Sequence, residues 1–179
     1  MSAAADQELM ARIARGDGEA FRQLSRRHAR SALALARRIS GNDATAEELV
    51  QEAFLRVWVH APRWRPDAAF RTWLYRIVVN LCLNERRRQP SLPLAEAGDP
   101  PDPSTGPDVE IAAQERDRLV AAAIDALPAR QRAAVVLSYH DGLSNAEAAE
   151  VLDTSVAAVE TLLVRAKRTL RTALAAYGP

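Results

Sequence analysis

Between Arg63 and Arg76 the chain sets aromatic rings among guanidinium groups, with Trp64, Phe70, Trp73 and Tyr75 interleaved with Arg63, Arg65, Arg71 and Arg76. Ring faces beside cations suit unstacked bases and the phosphates that join them, the chemistry of single-stranded nucleic-acid binding. Not every ring is free for that task. Phe70, Trp73 and Ile77 share one helical stripe and are expected to pack inward, whereas Trp64, in a loop between Pro62 and Pro66, is the expected exposed ring. Arg86, Arg87 and Arg88 follow at a helix end, which suits the helix dipole and a phosphate alike.

Two further groups of side chains invite a chemical reading. Near the C-terminus, residues 144–152, a short turn and residues 156–172 have the dimensions of a helix-turn-helix. Val159, Leu163, Ala166, Leu170 and Leu174 recur at helical spacing and should face a core. Glu160, Thr161, Val164, Arg165 and Arg168 fall on other faces, and Lys167, Arg168 and Arg171 could meet phosphates. The geometry equally fits a helical hairpin with a solvated charged face. The third group is Glu47, Glu48, Gln51 and Glu52, in the first turns of a helix whose other side is a broad apolar stripe of Leu49, Val50, Ala53, Phe54, Val57 and Trp58. These residues either serve the helix N-terminus through their three carboxylates or form a docking surface for a basic partner.

Catalytic chemistry has little support. His28, His60 and His140 are scattered, and neither a glycine-rich phosphate loop nor an H-E-x-x-H pattern occurs. Cys82, the single cysteine, lies in an apolar helix and reads as packing, with no disulfide framework or cysteine cluster for zinc. No cofactor or metal is expected. The chain has neither a signal peptide pattern nor an apolar run long enough for a membrane span, so a soluble cytoplasmic protein without membrane insertion is expected.

The elements that would position these groups are helices throughout. Asp17 can cap a helix that Gly41-Asn42 stops after Ser40. Thr45 and Glu48 fit a capping box opening a helix to about His60, and Asp67 can cap another to about Arg88. Order resumes near Asp108 with a helix to about Leu127, and Pro128 fits the first turn of the next, which Asp141-Gly142 closes near Tyr139. Ser144 and Glu147 form a second capping box for a helix to about Leu152. Asp153-Thr154-Ser155 then turns into a last helix reaching about Ala176. Residues 90–107 hold six of the ten prolines and little periodicity, and read as a flexible linker. The expected fold class is therefore all-α. It has a helical domain at 1–89, an acidic, Pro-rich linker at 90–107 and a helix-turn-helix domain at 108–179.

The net charge of +1 conceals an asymmetry along these 179 residues. Residues 1–89 carry 16 Arg against 10 acids, residues 90–127 carry 2 Arg against 8 acids, and residues 128–179 carry 6 basic groups against 5 acidic ones. Two neutral-to-basic blocks joined by an acidic one fit polyanion-binding domains on a linker, and also ordinary surface charge around a solvated loop.

The segments TAEELVQEAFLRVW (45–58) and FRTWLYRIVVNLCLNERRR (70–88) resemble the core-binding and minus-ten-reading helices of the extracytoplasmic-function (ECF) sigma factors of bacterial RNA polymerase. LPARQRAAVVLSYHDGLSNAEAAEVL (127–152) and SVAAVETLLVRAKRTLRTAL (155–174) resemble their C-terminal domain. The likeness covers roughly residues 8–89 and 111–176. It implies a promoter-recognition subunit that binds core RNA polymerase and promoter DNA and is held inactive by an anti-sigma factor. It further implies that Glu48, Gln51, Glu52 and Leu55 face the polymerase. Arg63, Trp64, Arg65, Trp73, Arg76, Asn80, Arg86 and Arg87 would serve the minus-ten element, with the loop 61–67 and Asn80 holding a flipped base. Ser155, Glu160, Thr161, Arg165, Lys167 and Arg168 would serve the minus-thirty-five element, and the linker would run towards the RNA exit path. The chain departs from the family in three places. Glu48 and Asn84 stand where relatives often have Asp, and Ala158-Val159-Glu160-Thr161-Leu162-Leu163 replaces the common T-V-K-S-R-L. Other readings of the residues are a regulator of the response-regulator output type, which leaves the N-terminal motif unexplained, and a helical interaction protein that binds no nucleic acid.

Overall fold

A computed structural model of the chain describes residues 3–88 and 118–175, whose regular elements are all helices, with no strand among them. The proline-rich segment 90–107 and the start of the helix expected from Asp108 lie outside the described residues. So does the expected helix end at Ala176.

The first domain contains α1 (Ala3–Ile13), α2 (Gly18–Ser40), α3 (Asp43–His60) and α4 (Phe70–Arg88). Asp17 caps α2, its carboxylate accepting from the backbone N–H groups of Glu19 and Ala20. Those bonds, Ala20 foremost, and the Arg12 guanidinium hold the Asp17 carboxyl below its usual range. Gly41 ends α2 in the left-handed region at φ 77°, a conformation that glycine reaches without steric cost. The expected capping box at Thr45 and Glu48 does not form. Asn42 is the cap instead, its side-chain oxygen accepting from the Thr45 N–H at 2.9 Å, because the turn at Gly41 already leaves Asn42 extended at φ −140°. Asp67 likewise lies three residues ahead of α4, which opens at Phe70. The α2, α3 and α4 helices pack around fully buried Leu24, Leu35, Ile39, Val57, Leu74 and Val78. α1, which sequence reasoning did not anticipate, is anchored on α2 by buried Asp6. That carboxylate meets the Arg27 guanidinium and the Nε2 of buried His28, the latter at 2.9 Å.

The second domain holds α5 (residues 118–125), α6 (Ala129–Val135), α7 (Asn145–Leu152) and α8 (Val156–Ala175). Pro128 stands just ahead of α6 as its cap, one place earlier than expected. Where a regular end to α6 was expected, Val136–His140 open into a π turn, closed by the Asp141 N–H on the Val136 carbonyl at 3.0 Å. The capping box of Ser144 and Glu147 is present at the start of α7. Val159, Leu163 and Ala166 of α8 are buried where that helix packs on α6 and α7. Leu170 packs at the margin of that core.

The domains touch: α7 packs on α4, and α6 approaches α2. Arg132 of α6 is buried there, its Nε donating to the carbonyl of Arg38 in the last turn of α2 while its guanidinium pairs with Asp125. Burial pushes the Arg132 pKa down and Asp125 opposes the fall. A cation at this point satisfies a carbonyl that α2 cannot pair internally and complements its dipole.

Candidate nucleic-acid interface

α3 carries two faces. Ala46, Val50, Ala53, Phe54 and Val57 are buried, and Trp58 meets Phe21 edge-on at 5.2 Å, so the apolar stripe read from the sequence is the inner face. On the outer face Glu48 and Gln51 are exposed. Glu52 pairs with Arg56 at 2.8 Å, and Leu55 stands 56 % exposed. Val59, which sequence reasoning missed, continues this face at 60 % exposed. Its signal was the spacing of four residues beyond Leu55. Two neighbouring aliphatic side chains left in water beside acids form an apolar patch with a polar rim.

The end of α3, the loop behind it and one side of α4 enclose a cleft of about 600 Å³. The structure brings six of the sequence-predicted residues to its lining: Arg63, Trp64, Arg65, Trp73, Arg76 and Asn80. Ala61–Arg63 form a short 3₁₀ turn with Pro62 at its start, and this turn sets the direction in which the Arg63-Trp64-Arg65 segment leaves α3. Trp64 is half-buried rather than an exposed ring. Its indole lies 6.3 Å from that of Trp73, and Trp73 in turn lies 6.0 Å from Phe70. Tyr75, among the interleaved rings in the sequence, is fully buried and belongs to the core. Arg56 and His60 also line the cleft. Both were missed because they belong to the preceding helix, although a charged residue one helical repeat after Glu52 and a terminal His were visible signals. Four arginines and His60 face one acid, Asp67, in this lining, and such a half-apolar, cationic cleft can hold an unstacked base with its phosphate. Arg86 and Arg87, at the far end of α4, are not part of it.

In the second domain Asp153 takes the left-handed conformation at φ 50° and ends α7. Ser155 then caps α8, its Oγ accepting from the Ala158 N–H at 3.2 Å. The angle between α7 and α8 is thus set by a three-residue turn. One strip of α8 presents Ala157, Glu160, Thr161, Val164, Arg165 and Arg168 around a shallow concavity. Lys167 lies off that strip, its ammonium 5.3 Å from the centre of the Tyr139 ring. The Thr161 hydroxyl donates to the Ala157 carbonyl at 2.9 Å, so its proton is already spent on the backbone.

Among the described residues no group of three or more His, Cys, Asp or Glu is placed to hold a metal ion. No helix among them is long and apolar enough to cross a membrane.

A chain whose described residues form only helices, with a cationic, indole-lined cleft in one domain and a helix-turn-helix in the other, has the form of a bipartite promoter-reading factor. Residues 24–91 match Sigma-70 region 2, and residues 117–170 match Sigma-70, region 4. The chain is 38% identical over 168 residues to the ECF RNA polymerase sigma factor SigM of Mycobacterium tuberculosis, covering 92% of this chain and 82% of that one. It is 32% identical over 177 residues to the ECF RNA polymerase sigma-E factor of Escherichia coli, covering 92% of each. Among solved structures, CnrH in complex with the cytosolic domain of CnrY is similar with a TM-score of 0.71 and 31% identity, over 96% of this chain and 98% of that one. The sigma factor RpoE in complex with the anti-sigma factor NepR from Bartonella quintana shares the fold, with a TM-score of 0.64 at 20% identity over 86% and 96% of the two chains. The chain belongs to the ECF sigma factor family, and its function is promoter-directed initiation of transcription.

Proposed function

We propose that the outer face of α3, the cleft beside α4 and the strip on α8 divide the work of initiation among them. Glu48, Gln51, Glu52 and Leu55 dock core RNA polymerase, charge on the rim and apolar contact at the centre. The cleft receives an unstacked base of the minus-ten element between Trp64 and Trp73, with Arg63, Arg65 and Arg76 on the phosphates and Asn80 on a base edge. Arg86 and Arg87 meet the backbone farther along. α8 enters the major groove of the minus-thirty-five element, Ser155 at its N-terminus and Arg165, Lys167 and Arg168 on the phosphates. The domains are those read from the sequence, 1–89 and 108–179, with 90–107 between them, and the protein works in the cytoplasm as a non-catalytic subunit. CnrH is seen in complex with the cytosolic domain of CnrY and RpoE with the anti-sigma factor NepR, and an anti-sigma protein restrains this chain.

The observation that carries this reading is the convergence of Arg63, Trp64, Arg65, Trp73, Arg76 and Asn80 on one cleft. Run-off transcription with purified core polymerase, followed by sequencing of the start sites, tests it. Transcripts that require both core and this chain, and begin at a shared sequence pattern, are expected. Binding to DNA without core-dependent transcripts would point to a repressor or activator instead.

A further inference from the structure

The first turn of α4, which carries Trp73 into the cleft, is not fixed by local chemistry. Its opening bond runs from the Trp73 N–H to the Ala69 carbonyl at 3.2 Å, and alanine offers no side-chain acceptor in the capping place. Phe70 anchors the turn instead, buried with its ring centre 4.9 Å from that of His28. His28 is itself fixed from α1. Burial keeps its imidazole neutral near pH 7, so the Nε2 that faces Asp6 Oδ2 at 2.9 Å carries the proton and donates it. The other oxygen, Oδ1, accepts from Arg27 at 2.5 Å. α1 also packs on the Ala61–Arg63 turn, from which Trp64 leaves α3. One helix therefore reaches both walls of the cleft: the wall of Trp64 through that turn, and the wall of Trp73 through His28 and Phe70. Trp73 lies 6.0 Å from Phe70 and 6.3 Å from Trp64.

We infer that α1 is a brace for the minus-ten cleft, in which Asp6 and His28 are positioning residues that set the spacing of Trp64 and Trp73. This rests on the reading of the cleft as the seat of an unstacked base. Attachment of α1 alone does not call for a buried carboxylate. Leu9, Met10 and Ile13 already bury its inner face, and well-packed apolar side chains stabilise such a place as well as an ion pair does, or better. The carboxylate adds direction. Two donors on its two oxygens fix the rotation of the imidazole against which Phe70 rests, whereas a purely apolar core loses uniqueness before it loses stability. A binding site needs its side chains held to within about 0.5 Å, and Trp64 and Trp73 sit one and two contacts beyond α1. The contacts run through α1, α2, the 3₁₀ turn and α4. They leave α8 and the outer face of α3 aside, so the effect belongs to the minus-ten element.

The test uses the full chain carrying Trp58→Phe, which leaves Trp64 and Trp73 as its only tryptophans. Near-ultraviolet circular dichroism then reports the arrangement of the indole pair, without DNA. Asp6→Ala should change that signal. It should also lower transcription, from promoters found by start-site sequencing, roughly tenfold, with competition for core polymerase equal to the parent's. Where Asp6→Ala does not fold, Asp6→Asn carries the test, since its single acceptor oxygen leaves Arg27 or His28 without its partner. Ile13→Val loosens α1 without touching Asp6. It should lower the thermal midpoint and leave the indole signal and transcription in place. An unchanged indole signal in the folded Asp6 variant overturns the brace. An equal change in Ile13→Val overturns it too, because α1 would then act by packing alone. Trp73→Ala separates the remaining failures. If it abolishes transcription while the Asp6 variant moves only the indole signal, the brace has no part in reading the minus-ten element. If Trp73→Ala transcribes as well as its parent, the cleft reading itself has failed and the brace falls with it.

Discussion

Glu160 puts a carboxylate on the exposed strip of α8, where relatives commonly carry a cation. Near DNA an acid costs affinity through phosphate repulsion unless it makes a contact in return, and the contact open to it is the exposed amino group of cytosine in the major groove. Among the described residues no ion pair ties Glu160 to Arg165, and its neighbours on the strip are Ala157, Thr161 and Val164. Glu160→Ala should therefore relax preference at one base pair of the minus-thirty-five element by about 1–3 kcal/mol. Binding across single-base promoter variants at fixed salt measures it, and uniform tightening on all sequences would remove Glu160 from the readers. His28 makes a different kind of prediction. Burial pushes its imidazole pKa below 6.5, against the pull of Asp6 and with help from Arg27 and Arg71. The unfolded chain then binds a proton that the folded one resists, so the contribution of His28 is intact above pH ~6.5 and lost as pH falls towards the lowered folded value. Urea midpoints should decline below pH ~6.5, and His28→Gln should flatten that decline. An unchanged slope in the variant would assign it to other groups.

At the scale of the element, boundaries were legible where a single side chain settles them. Asp17, Gly41 and the Ser144–Glu147 box each act on backbone within four residues, so type and spacing suffice. The box closes with the Ser144 N–H on Glu147 Oε2 at 2.8 Å and the Glu147 N–H on Ser144 Oγ at 3.2 Å. Hydrogen bonds from the Ser144 side chain and then its backbone keep the Glu147 carboxyl below its usual range. Ser144→Ala should cost about 1 kcal/mol, read as a lower thermal midpoint of the full chain by far-ultraviolet circular dichroism. A midpoint equal to the parent's would show that packing alone holds α7. Thr45–Glu48 has the same signature and did not cap, because Asn42 competes from three residues upstream and the turn at Gly41 had already aimed it. Trp64 was misjudged for a related reason. Flanking prolines mark a loop, but they do not reveal that the loop folds its ring back towards Trp73.

Across the whole molecule, patterning was readable and encounters were not. The cleft assembles largely from residues that the sequence singled out because three of its arginines and both indoles fall between Arg63 and Arg76. Arg132 on the end of α2 and Tyr75 on Asp141 join positions 94 and 66 residues apart, and no local signal encodes such a meeting. The outer face of α3 is also a property of the assembly, since only packing shows that Leu55 and Val59 stay in water. Charge reversal there, Glu52→Arg, should weaken competition for core polymerase while circular dichroism stays unchanged, and it also breaks the pair with Arg56. A folded variant that competes as well as the parent would exclude this face. The wide turn at Val136–His140 has a consequence of its own. A π turn is one residue inserted into an α-helix, and each residue advances a helix by about 100°. Deleting one residue there, so that the regular ladder returned, would swing α7 and α8 as a unit about the axis of α6. Their internal geometry would survive while Asp141 left Tyr75. The aim of the helix-turn-helix relative to the rest of the protein is thus adjustable in evolution by a single codon, with every residue of α8 left unchanged.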